Sequence, residues 1–434
     1  MSGGHSCAGA AVALLGLTAA LAAAQSRPNV VLIISDDQGW GDFGFMGHEH
    51  IRTPALDRLA AQSAVFPNGY VTAPLCRPSL ASMLTGRYPH QTGICGNDPP
   101  AGVPREAYRR LIRDTPTVPR LLAGAGYRCL QTGKWWEGSH ADAGFTDGMT
   151  PDGQRHGGPG LTIGRQGLGP IEAFLDAVGE APFFIWYAPM MPHEPHDPPE
   201  RILATYRAEG RSERIARYWA MCTWFDETCG GLIDSLGRRG LLENTLILFI
   251  VDNGWIQAES EERSVVGGCA ARSKRTPYEG GVRTPVLLSR PGRVPPSRRE
   301  DLVSAVDLAP TILRACGLDV PAELTGADLE ALACGRRQAD REAVFGAVFG
   351  HDDLVAGDPA ANLTHRWLRS GPWKLIVPAG PSEATELFDV AADPWETQDL
   401  AGARPEQVRR LRRLLDGWWN PRPTASTSTF PAGG

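Results

Sequence analysis

Residues 29–35 read NVVLIIS, and the chain continues DDQG at 36–39. Five consecutive apolar positions, four of them β-branched, leave this strand no polar face, so the run is expected to be buried on both sides, as in a parallel sheet. Two further runs, FFIWY at 183–187 and LILFIV at 246–251, share this character, and each stops in polar, loop-forming residues. Between the first two lies a helical pattern, with Thr53 as N-cap, Pro54 at the first position and Leu56, Leu59, Ala60 and Ser63 on one face. Strands alternating with helices predict an α/β fold, a large doubly wound mixed sheet flanked by helices. In such folds ligands sit beyond the carboxyl ends of the strands, where Asp36-Asp37 and Asp252-Asn253-Gly254 fall.

A change of character after about residue 350 predicts a smaller C-terminal α+β unit. Its signs are short strands at WKLIV (373–377) and ELFDV (386–390), and a final helix near 405–418 with Val408, Leu411, Leu414, Leu415 and Trp418 on one stripe. The expected organisation is an α/β catalytic domain over 25–350, the α+β subdomain over 351–419 and a flexible tail over 420–434. Residues 1–24, an alanine-rich apolar run ending in small residues, read as a cleaved signal peptide, which makes the product periplasmic or secreted. No later stretch approaches the roughly 20 apolar residues of a membrane span. The eight cysteines after Cys7 show no CxxC spacing, against a zinc site or a dense disulfide framework, and their pairing stays open.

A net charge of −6, with 42% hydrophobic and 21% charged residues, excludes a disordered chain, a coiled coil and a basic nucleic-acid binder. Asp36, Asp37, Asp252 and Asn253, if the fold unites them, offer hard oxygen ligands suited to Ca²⁺ or Mg²⁺, although Asp and Asn after a strand are commonly turn formers or caps. In CRPSL at 76–80 the proline suits a helix N1 position. A helix start there would bind an anion and ease ionisation of the Cys76 thiol; a small buried residue before a helix is the alternative.

The strand 29–35 with Asp36-Asp37, the C-x-P-S segment at 76–79 with Leu84-Thr85-Gly86, Thr132-Gly133-Lys134-Trp135, Pro192-His193-x-Pro195, Asp252-Asn253-Gly254, and Lys274 followed by Glu279-Gly280-Gly281-Val282-Arg283-Thr284-Pro285 occur in the order seen in type I sulfatases. From about residue 28 to its end the chain resembles that family, within the alkaline phosphatase superfamily. The resemblance implies an exported hydrolase of sulfate esters, with a sulfated carbohydrate as the expected substrate. It implies that a formylglycine-generating enzyme oxidises Cys76 to formylglycine, whose hydrate attacks sulfur. Asp36, Asp37, Asp252 and Asn253, with residue 76, would then hold Ca²⁺ or Mg²⁺, Lys134 and Lys274 would hold sulfate oxygens, and His193 would protonate the leaving alcohol. Phosphoester or phosphonate hydrolysis on the same scaffold is the alternative, as is a non-catalytic binder of sulfated ligands if Cys76 stays unconverted.

Of 43 basic residues only three are lysines, and two of these fall on the anion-holding positions. A compact ammonium suits a tetrahedral anion where a guanidinium fork suits a planar one. Lys374, the third, is expected on the solvated surface. Two departures from the family pattern stand out. Position 80 is Leu where the pattern has Arg. Position 136 is Trp where many sulfatases have a proton-accepting His; an indole N–H only donates. Trp136 is expected to form an apolar wall for a substrate ring, and His90, His140 and His196 are candidates to replace the imidazole.

Overall fold

The computed structural model describes residues 27–151, 154–265, 268–336 and 341–421. Residues 1–24, expected to be a signal peptide, and most of the 420–434 tail lie outside the described residues. The large sheet has nine strands: β1 (Asn29–Ser35), β2 (Ala64–Tyr70), β3 (Arg128–Gly133), β4 (Asp147–Gly148), β5 (Phe183–Ala188), β6 (Thr245–Val251), β7 (Arg283–Ser289), β8 (Ser297–Arg298) and β9 (Val303–Ser304). Their order is β4-β3-β5-β1-β6-β7-β2-β8, with β9 also on β2. β1 lies between β5 and β6, parallel to both, whereas β7 runs antiparallel to β6 and β2, so the sheet is mixed.

The three apolar runs are the three central strands, and alternation assigns each residue a side. Val30, Leu32 and Ile34 enter one core layer with Leu246, Leu248 and Ile250. Val31 and Ile33 enter the other with Ile247, Phe249 and Val251. Both layers must be covered, and helices cover them. On one side α1 (Pro54–Ala61) and the long α3 (Glu213–Arg238) pack, through Leu56, Leu59, Phe225 and Leu232; on the other lies α2 (Cys76–Thr85), buried at all ten positions. Thr53 occupies the N-cap of α1, but its hydroxyl bonds Asp57 Oδ1 at 2.9 Å and does not cap the helix. The free amides of α1 go to a carboxylate from α3: Asp226 accepts from Ala55 N at 3.0 Å and Leu56 N at 2.7 Å.

A second, antiparallel sheet follows, β10 (Val344–Phe349), β11 (Leu363–Ser370), β12 (Trp373–Pro378) and β13 (Glu386–Asp389), with α4 (Pro405–Trp418) packed through Leu411 and Leu415. Alternation along β12 sends Leu375 and Val377 toward α4 and Ile376 toward the main core. Lys374 shares the inner face, which overturns its expected surface position. It is fully buried, with Nζ 3.0 Å from Glu279 Oε1 and 3.1 Å from Glu396 Oε1. A buried ammonium needs such partners, and they come from distant segments. Among the described residues no helix is long and apolar enough to cross a membrane, and all eight cysteines are free thiols.

Candidate functional site

β1 and β6 pair in register, Ser35 opposite Val251, so the residues that follow them emerge side by side. Asp36, Asp37, Asp252 and Asn253 therefore meet at the carboxyl edge of the sheet, each at most 2% exposed. Asp37 adopts a left-handed backbone (φ 59°), unusual for a residue with a Cβ, and its N–H donates to Asp252 Oδ1 at 3.1 Å. Asn253 Nδ2 donates to Asp37 Oδ1 at 2.7 Å. That leaves Asn253 Oδ1 and Asp36 Oδ2 as buried oxygens with no hydrogen-bond donor. Orphaned buried acceptors among carboxylates are costly unless something cationic satisfies them. The oxygen-rich donor set is that of a hard divalent cation.

Lys134 follows β3 directly. Gly133, at φ 80°, makes the turn, and a Cβ there would lie 2.0 Å from the carbonyl oxygen of Ala188 on β5. The turn sends Lys134 Nζ to Asp36 Oδ1 at 2.5 Å and Cys76 Sγ at 3.0 Å, and it lies 3.5 Å from Asp252 Oδ2. Lys274, from the loop before β7, reaches Asp37 Oδ1 at 2.6 Å and Cys76 Sγ at 3.2 Å. His193, after β5, places Nε2 3.4 Å from Asp37 Oδ2, while its Nδ1 pairs with the Glu194 carbonyl at 2.7 Å. The structure thus unites Cys76, Lys134, Lys274, His193 and the four oxygen-bearing residues in one cluster.

Burial and charge pull against each other here. Burial raises the carboxyl groups of Asp36 and Asp252, the latter to about 7 with the Asp36 carboxylate adding to the effect. Burial would raise Asp37 as well, but Lys274 and His193 hold it well below the usual carboxylate range. Both lysines would lose their protons through burial; the surrounding carboxylates and Cys76 keep them charged. Burial lowers His193 to about 4. Cys76 reverses the expected ease of ionisation: burial raises its thiol, and the two ammonium groups offset this only in part. The helix geometry also differs from expectation. α2 begins at Cys76 itself with Leu75 as N-cap and Pro78 in third place, and the Arg77 N–H is taken by Asn97 Oδ1 at 2.9 Å.

A cavity of about 220 Å³ opens over this cluster, lined by Asp37, Cys76, His193 and Lys274 together with Trp136 and His156. Trp136 is 4% exposed and belongs to the main core even as it lines the cavity, so it is a packed wall. The three histidines offered as substitutes for position 136 do not line the cavity. His90 stacks on Trp419 at 4.7 Å, His140 Nδ1 lies 3.2 Å from the Thr150 carbonyl, and His196 lies against Tyr218. His156 and His351 line it instead; nothing in their flanking sequence marked them. Leu80 faces the core at 5% exposure. Its neighbour Arg77 is buried in a two-pronged pair with Glu137, at 2.6 and 2.8 Å, and lies 3.9 Å from the Tyr108 ring centre.

The family model described as Sulfatase matches residues 28–318, and that of the N-sulphoglucosamine sulphohydrolase C-terminal region matches 270–416. Human arylsulfatase A is 30% identical, over 92% of this chain and 89% of the relative. Human N-acetylgalactosamine-6-sulfatase is 29% identical, over 90% of this chain and 85% of its own length. Among solved structures, one in complex with its substrate D-glucosamine-2-N,6-O-disulfate superposes with a TM-score of 0.75 at 21% identity, covering 91% of this chain and 97% of that one. Another, bound to k-i-k-neocarrahexaose, gives 0.74 at 23% identity and covers 93% and 95%.

Proposed function

This chain belongs to the sulfatase family and is a sulfuric ester hydrolase, and from that premise we propose that it acts on a sulfated carbohydrate in the periplasm or outside the cell, using residue 76, converted to formylglycine, as its nucleophile. The observation that carries the reading is the position of residue 76, whose Sγ lies 3.0 Å from Lys134 Nζ and 3.2 Å from Lys274 Nζ, beside the carboxylates at the end of β1. Two converging ammonium groups suit the oxygens of a tetrahedral anion held against that atom. The relatives named for galactosamine-6-sulfate and the neighbours bound to sulfated sugars support the substrate class.

In this reading Asp36, Asp37, Asp252 and Asn253 hold Ca²⁺ or Mg²⁺, and the two donorless oxygens, Asp36 Oδ2 and Asn253 Oδ1, support that donor set. When bound, such a dication acts as a Lewis acid and adds positive charge where the sulfate ester binds. Lys134 and Lys274 neutralise the sulfate oxygens and orient sulfur toward residue 76. His193 presents Nε2 to the cavity, its ring fixed through Nδ1–H by the Glu194 carbonyl; burial disfavours its imidazolium, a bound sulfate anion favours it, and in that charged form Nε2–H gives its proton to the departing alcohol oxygen. Trp136 walls the cavity against water. The division into an α/β catalytic domain and a C-terminal α+β subdomain is retained in this proposal.

Mass spectrometry of the peptide spanning residue 76, on protein from its native host, tests the nucleophile, and turnover of para-nitrophenyl sulfate against the phosphate tests the chemistry. Formylglycine with sulfate release is the expected result. An alkylatable thiol throughout the sample defeats the mechanism and favours a binder of sulfated ligands; preferential phosphate release favours the phosphoester alternative.

A further inference from the structure

A second, larger cavity, of about 520 Å³, lies against the first. Trp255 lines both. This indole is 4% exposed, its Nε1 donates to Gln257 Oε1 at 3.0 Å, and Lys274 Nζ stands 6.0 Å from its ring. It is a fixed partition, with the anion-holding lysine near it on one side and the second cavity on the other.

The remaining walls come from four distant segments. Trp40 follows the β1 loop, Trp219 belongs to α3, and Trp395 comes from the C-terminal unit, where it is 57% exposed. The rings of Trp40 and Trp395 lie 5.9 Å apart, and the Arg283 guanidinium, 4.0 Å from the Trp40 ring centre, steadies that indole. His48 and Glu49 supply polar groups. Trp395 leaves an open indole face at the rim, and aromatic walls with a few polar groups are the composition of a ligand pocket.

Charge separates the two cavities. The first is lined by Lys274 and Arg275 beside Asp37 and Glu194, the second by Asp42 and Glu49 with no lysine or arginine among its described lining residues. A sulfate group therefore finds lining cations only in the first. A neutral sugar ring suits the second: its C–H faces pack on indoles and its equatorial hydroxyls meet polar rim groups. We propose that this tryptophan-walled cleft holds the unsulfated pyranose residues that flank the sulfated one in the same oligosaccharide, so that the protein selects chain length as well as the sulfate. The inference rests on the sulfated-carbohydrate reading and names where the rest of that substrate lies.

Two substitutions probe the cleft while sparing the cluster around residue 76. Gly41 lines the cleft, and an added Cβ meets nothing within 4 Å, so Gly41→Phe adds bulk at the cleft with no clash at Cβ. Trp395→Ala removes the most exposed platform. The full-length protein and both variants are applied to a panel of monosaccharides to hexasaccharides carrying a single sulfate, scoring binding, and turnover of para-nitrophenyl sulfate is measured in parallel. The parent is expected to retain the longer sugars roughly tenfold more tightly than the matching monosaccharide, and each variant to lose most of that preference. Turnover of the aryl sulfate should stay within about twofold. A parent that shows no length preference, or a preference that survives both substitutions, overturns the inference. Absence of aryl sulfate turnover in the parent counts against the sulfatase reading instead, because length preference is scored by binding.

Discussion

The Arg77–Glu137 pair gives the sharpest stability prediction. Both side chains are nearly out of solvent, at 1% and 4% exposure, and two N–H groups of the guanidinium meet the two carboxylate oxygens at 2.6 and 2.8 Å. Arg77 adjoins residue 76, and Glu137 lies three residues beyond Lys134, so the pair ties the start of α2 to the turn that presents the lysine. Glu137→Gln keeps the shape and one acceptor oxygen but removes the negative charge, leaving the guanidinium with that amide oxygen, the Gly96 carbonyl at 3.4 Å, the Tyr108 ring and the Asp353 carboxyl as its other supports. At an effective dielectric near 20, opposite charges 4 Å apart attract by about 4 kcal/mol, and breaking a buried pair from one side costs about 3–5 kcal/mol. Urea unfolding of the parent, Glu137→Gln and the double variant Arg77→Met/Glu137→Leu measures this. The single variant should lose about 3–5 kcal/mol, and the double should recover to within about 1 kcal/mol of the parent, because no charge is then stranded. A single variant within about 1 kcal/mol of the parent, or a double no better than the single, would refute the argument.

Three further outcomes are expected. Asp252→Ala should lower the Ca²⁺ or Mg²⁺ content of purified protein, measured by elemental analysis, and unchanged content excludes Asp252 as an essential ligand. Trp136→Ala should both weaken binding of sulfated sugars and destabilise the fold by about 3–5 kcal/mol, since the indole is 4% exposed in the core; an unchanged thermal midpoint contradicts that packing. Burial raises the Asp226 carboxyl to about 6, above its unfolded value near 3.9. The folded state therefore binds this proton more tightly, and the stability it contributes, about 3 kcal/mol, is complete below about pH 4 and lost as pH rises through about 6. Urea midpoints taken between pH 4 and 7 should fall in the parent more steeply than in Asp226→Asn, and parallel curves disprove the assignment.

What was legible in the sequence follows from burial on both faces. NVVLIIS, FFIWY and LILFIV have no polar side, so they had to be central strands, and the polar residues at their ends had to lie at the sheet edge where ligands bind. Cys76, the two lysines and His193 are grouped by the resemblance that the ordered motifs carry, and not by spacing or periodicity. Tertiary structure alone decided which strand ends meet. The parallel pairing of β1 with β6, 215 residues away in sequence for Asp37 and Asp252, brings the carboxylates together. It also decided what the lone residues do. Lys374 looked like a surface residue because its partners, Glu279 and Glu396, come from other segments. His156 and His351 reach the cavity only through loop packing. The Cys76 thiol is raised because burial depends on everything folded around it. Periodicity reports which face of an element is buried; it carries no record of which distant side chain lies against that face.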